Sequence, residues 1–155
     1  MYLPIIVALM VVLPALSIVI DLVVAPGAMG FAEVAGRWLV FWIVGVRLLM
    51  AGARQVFSPD FTARTFFGIS DVRALVVVQE LGLANSALGL LGVATLLMPA
   101  WIAPAAFAGA LFFVFAGLRH SLRGTRNRAE TVAMVSDFYA FAVLTVLLIV
   151  MLARA

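Results

Sequence analysis

Five times along the chain, the sequence passes through an apolar stretch long enough to cross a bilayer. Each stretch is broken by proline, glycine or a knot of charge. Crossing ~30 Å of hydrocarbon takes about 20 residues at a helical rise of ~1.5 Å each. Inside hydrocarbon, backbone polar groups must be satisfied within the segment or in a closed barrel, so uninterrupted runs of this length are read as helices. The predicted fold class is all-α: an integral membrane bundle of about five transmembrane helices, forming a single domain over residues 1–155. The helices are placed at approximately residues 1–25, 31–57, 71–98, 103–122 and 131–153.

Composition supports this reading. Apolar residues make up 66% of the chain and charged residues 11%, and the mean hydropathy is +1.25. A soluble domain carries about 25% charged residues, which it needs to cover its core. The absence of cysteine excludes disulfides, thiolate catalysis and thiolate metal sites. A single histidine, His120, excludes a multi-histidine metal site or a bis-histidine haem within one chain. No metal and no cofactor are therefore expected. The net charge is +3, and every basic residue is arginine. A pI of 10.6 can point to nucleic acid, but on so apolar a chain it reads as cytoplasmic loop charge. The expected partners are membrane lipid and a homo-oligomer or larger membrane complex, with no nucleic acid.

Local signals mark the breaks. The first stretch lacks the basic start of a signal peptide and is longer than its usual ~7–15 apolar residues, so it reads as a spanning helix, bent near Pro14. Pro26-Gly27 ends it, and Ser58-Pro59-Asp60 ends the second. Phe57 to Arg73 mixes phenylalanines with Asp60, Arg64 and Asp71, a composition suited to the membrane–water interface. Pro99 to Pro104 is a tight turn, with Trp101 as an interface anchor. Gly124 is placed as the cap ending the fourth helix. Asn127 with Glu130 has the spacing of a capping box opening the fifth. Gly82, Asn85, Ser86, Gly89 and Val93 form a small-residue stripe on the third helix, and Ala105, Gly109 and Ala116-Gly117 form one on the fourth.

Loop arginines set orientation. Arg54, Arg64, Arg73, Arg119, Arg123, Arg126 and Arg128 fall on one side, and only Arg37 and Arg154 on the other. That asymmetry predicts a bacterial inner (cytoplasmic) membrane protein with its N-terminus cytoplasmic and its C-terminus outside.

Charges inside spans are costly and face the bundle interior. Arg47, Glu80 and Asp137 each lie seven residues from a flanking charge (Arg54, Arg73 and Glu130), which places all three about 10 Å inside the cytoplasmic boundary. Arg47 is expected to pair with Glu80, Asp137 or both. Asn85 is expected about 7–8 Å deeper than Glu80, and His120 above the layer at the end of its helix. The candidate polar or ligand cluster is thus Arg47, Glu80, Asn85, His120 and Asp137. It reads either as a fixed ion-pair network setting helix register, or as a polar pocket holding a head group, a small ligand or a proton. His120 reads as a helix-end residue or as a proton relay. Glu-x-x-His pairs, phosphate loops, nucleophile elbows and dinucleotide fingerprints are absent.

The stretches Arg47-Leu-Leu-Met-Ala-Gly-Ala-Arg-Gln55, Phe61-Thr-Ala63, Glu80-Leu-Gly-Leu-Ala-Asn85, Ala116-Gly-Leu-Arg-His120 and Ser136-Asp137 resemble a family of small bacterial multi-pass membrane proteins classified only as a domain of unknown function. The resemblance covers roughly Trp38 to Leu148. It implies a multi-helix membrane bundle whose recurring polar positions coincide with the cluster above, and it implies no reaction. In size and helix number the chain is also distantly similar to DoxX-type membrane proteins, which are often four-helix and associated with redox or quinone-linked partners. No motif matches, and this chain adds an N-terminal helix.

Three functions follow as expectations. The first is a non-enzymatic membrane subunit, or a lipid- or small-ligand-binding bundle built on the polar cluster. The second is a small proton-coupled transporter or channel. The third is a membrane-embedded enzyme acting on lipid or quinone through Glu80, His120 and Asp137.

Overall fold

The computed structural model describes residues 2–27, 29–124 and 126–154, with Tyr2 by its backbone alone. Met1, where the first predicted helix begins, lies outside the described residues, as do Ala28, Thr125 and Ala155. The described residues form helices and no strand. Five helices are long and apolar enough to span a membrane: α1 Leu3–Val24, α2 Phe31–Phe57, α3 Val72–Ala94, α4 Pro99–Ser121 and α5 Arg128–Leu152. A short helix, Pro59–Thr62, and a wide turn, Ala63–Phe67, connect α2 to α3.

Element ends follow local chemistry. At the start of α5, the Asn127 side chain accepts from the Glu130 N–H and the Glu130 carboxylate accepts from the Asn127 N–H. This reciprocal cap opens the helix at Arg128, ahead of Thr131. α3 ends at Ala94, short of Met98, because Leu96 and Leu97 turn back to donate to Val93 and Ala94. α4 opens earlier than expected, on a tight turn at Pro99. Gly124 does not cap α4: the helix ends at Ser121, and Gly124 has no left-handed backbone. Gly27 and Gly68 do, with φ of 77° and 64°, a conformation open to glycine without steric cost.

α2 is the hub and touches the other four helices. Against α3 the two backbones meet directly. A Cβ on Gly92 would stand 2.7 Å from the Gly45 Cα, and one on Gly89 would stand 2.7 Å from the Leu49 nitrogen. The small-residue face of α4 is also used inside the chain: Gly109 admits Val44 and Leu144, and Gly117 admits the Phe138 ring. Val40, Ile43, Val44, Ile102, Phe113 and Leu144 fill the centre.

α1 docks through two hydrogen bonds of matched spacing. Trp42 donates to the Ser17 hydroxyl at 2.9 Å, and Trp38 donates to the Asp21 carboxylate at 2.7 Å. Arg37 stands 3.7 Å from the same carboxylate. Upstream of Pro14, where the ring would clash with the carbonyl one turn back, α1 widens into a π turn at Ala8–Val12, and Leu13 donates to the Ala8 carbonyl. α2 carries a longer π turn, Val40–Val46, immediately before Arg47.

Candidate functional site

The π turn in α2 sets where Arg47 points, since an i→i+5 turn shifts the register of everything after it. Arg47 faces α4 and α5. Its Nη2 donates to Asp137 Oδ1 at 2.6 Å and to Ser136 Oγ at 2.9 Å. Ser136 in turn donates to the Ala133 carbonyl. The Phe113 ring of α4 lies across the guanidinium, 4.5 Å from Cζ to the ring centre, a cation–π contact. Arg47 and Asp137 are only 8% and 5% exposed. The expected Arg47–Asp137 pair is therefore present, with one nitrogen doing all of the bonding. Arg47 Nη1 is buried and has no hydrogen-bond partner among the described residues.

His120 occupies the last turn of α4. Its Nδ1 is buried without a partner, while its carbonyl accepts from the Arg126 side chain at 3.1 Å.

Two of the expected positions are corrected. Glu80 does not join the cluster. It is exposed on the outer face of α3, and its carboxylate makes no hydrogen bond or ion pair among the described residues. The α2–α3 contacts give the reason: Gly92 lies on Gly45, Gly89 on Leu49 and Gly82 on Gln55. Arg47 is therefore opposite the stretch between Gly89 and Gly92. Glu80 lies about 15 Å further along, beside the last turn of α2, where Gln79 donates to the Val56 carbonyl. The first turns of α3 run past the end of α2, so equal spacing from flanking charges does not mean equal depth. Asn85, placed deeper than the cluster, is nearer the bundle end. It is 3% exposed and donates to Gln55 at 2.7 Å, two turns beyond Arg47 on α2. Its Oδ1 is buried and unpartnered.

Several contributors were not singled out from the sequence. Gln55 and Phe113 gave no signal of their own. Ser136 was legible only as the neighbour of Asp137. Ser17 and Asp21 do carry one, since their spacing of four matches that of Trp38 and Trp42.

Among the described residues, two surface clefts stand out, and neither is lined by Arg47 or Asp137. One, of about 410 Å³, is an apolar groove between α2 and α5 that includes Phe31, Leu39, Tyr139 and Val143. The other, of about 380 Å³, is polar and lies between the two arginine-bearing connectors. Among the described residues, no three acidic or imidazole side chains converge as a metal site would require.

The buried cluster can fix a guanidinium with Nη2 spent on Asp137 and Ser136 and Nη1 free. No protein family, curated protein or solved structure is found to match this chain, so the reading of the site rests on its own geometry.

Proposed function

We propose that the protein is a non-enzymatic membrane bundle that binds a small ligand through a ligand oxygen, with Arg47 as the binding cation. The observation that carries this is the buried, unpartnered Nη1 of Arg47. In a span, where water is excluded, an unmet donor is expensive. Asp137 and Ser136 hold Nη2 and so orient the planar guanidinium toward one acceptor. A carboxylate, phosphate or carbonyl oxygen meets that need. The test is a map of the protein in lipid, inspected at Nη1. Compact density larger than a water is expected there. A lone water, or an Arg47 turned so that both nitrogens meet Asp137, would leave a structural ion pair and overturn the proposal.

The buried Nδ1 of His120, without a partner among the described residues, favours a second reading, proton-coupled transport entering from the His120 end. Proton flux into liposomes that is unchanged by Asp137→Asn removes it. The enzymatic reading loses support because Glu80 stands apart from His120 and Asp137. We place the bundle in a bacterial inner membrane with its arginine-rich end cytoplasmic, its N-terminus inside and its C-terminus outside. The apolar outer face of α3, with Val76, Val77, Leu83 and Leu90 exposed, leaves room for lipid, a second copy or a partner helix.

A further inference from the structure

The polar cleft is built from the two connectors at one end of the bundle, the Pro59–Phe67 segment and the loop between α4 and α5. Arg123 ties them together. It donates to the Phe67 carbonyl at 2.6 Å and to the Phe66 carbonyl, and it pairs with Glu130. Asn127 adds a bond to the Thr65 carbonyl at 2.6 Å. Between these struts the cleft is lined by Arg64, Thr65, Gly68, Arg123, Arg126, Asn127 and Glu130.

A census of donors and acceptors decides what such a cleft can take. Its carboxylate is spent: Glu130 accepts from Arg123 with one oxygen and from the Asn127 N–H with the other. Its guanidiniums are not. Arg64 uses only Nε, on Asp60, and Arg126 uses only Nη1, on the carbonyls of His120 and Ser121 at the end of α4 and of Arg123 just beyond it. The remaining nitrogens of both, and the Thr65 hydroxyl, have no partner among the described residues. The cleft therefore offers free donors and almost no free acceptor, which suits a ligand that only accepts. Its lining residues Thr65 and Gly68 flank Phe66 and Phe67 in the connector, and arginines interleaved with aromatics suit the membrane–water interface, where lipid phosphates sit. Arginine binds phosphate through paired N–H groups.

We propose that this cleft binds a phosphate group, carried either by an anionic lipid head group or by a free phosphate compound. It is a site distinct from the buried Arg47 cluster.

The test uses the full chain in a non-ionic detergent at constant ionic strength. Thermal unfolding is followed while phosphatidylglycerol, phosphatidylcholine or pyrophosphate is added. Phosphatidylglycerol is expected to raise the unfolding temperature saturably and phosphatidylcholine is not. Arg64→Gln is expected to weaken the apparent affinity by roughly tenfold or more, the scale of one charged hydrogen bond. Arg64 is 65% exposed, so this variant should fold like wild type, and its ligand-free unfolding temperature checks that. Arg126→Gln serves as the second variant. Stabilisation by pyrophosphate alone, lost in either variant, assigns the site to a soluble phosphate. No stabilisation by either anionic probe, or stabilisation that survives both variants, overturns the proposal.

Discussion

At the residue scale, the Arg47–Asp137 pair is the most consequential contact in the chain. Each partner is buried in a span, so removing one strands the other. Arg47→Met is expected to cost about 3–5 kcal/mol, the range for breaking a buried pair. Replacing both charges with apolar groups of similar size is often close to neutral, so Arg47→Met/Asp137→Leu is expected to recover most of the loss. Reversible unfolding in mixed micelles measures both. A single variant as stable as wild type would mean that the pair does not hold α2 to α5. That Arg47 pairs with an in-span carboxylate was legible in the sequence, because in-span charges must find each other, but the choice between Asp137 and Glu80 was left open. The exclusion of Glu80 was not legible. Depth counted from flanking charges assumes that helices start level, and α3 starts beyond the end of α2. The bond between Gln55 and Asn85 was hidden for a related reason, since antiparallel register places residues together that a count along one helix separates.

At the element scale, the contact between α2 and α3 depends on the absence of side chains. Gly45 and Gly92 meet backbone to backbone, so a methyl on Gly92 has nowhere to go without parting the helices. Gly92→Ala is expected to lower stability by about 1–3 kcal/mol, the usual cost of overpacking. Gly124→Ala is the matched control, because a Cβ there meets nothing within 4 Å, and it is expected to be neutral. Equal unfolding curves for the two variants would show that the seam yields easily. The stripe on α3 could be read from its glycine spacing, but its partner on α2 could not. Gly45 and Gly52 are separated by residues that, apart from Arg47, are apolar and look like any span, and the π turn at Val40–Val46, which phases Gly45 and Arg47, leaves no local mark. Helix ends read best where a side chain closes them. Asn127 and Glu130 cap α5 as their spacing implied, whereas Gly124 proved to be loop.

At the scale of the whole molecule, polarity is distributed unevenly from end to end, and the topology proposal rests on that. Arg54, Arg64, Arg73, Arg119, Arg123, Arg126 and Arg128 belong to the end that carries the connectors, while Arg37 and Arg154 belong to the other. The connectors are bonded to each other through Arg123 and Asn127, so the arginine-rich end is a single surface and not two independent loops. Short arginine-rich loops are retained in the cytoplasm, and with five spans the termini then fall on opposite sides. A reporter active only outside the cytoplasm is expected to work when fused to the C-terminus and to fail when inserted at Gly124. Because the arginines act together, neutralising Arg64 alone is not expected to invert the protein, and several must be removed before the C-terminal reporter is silenced. An active reporter at Gly124 with a silent C-terminus would reverse the orientation and move both the phosphate cleft and the His120 end of the Arg47 cluster to the outer face.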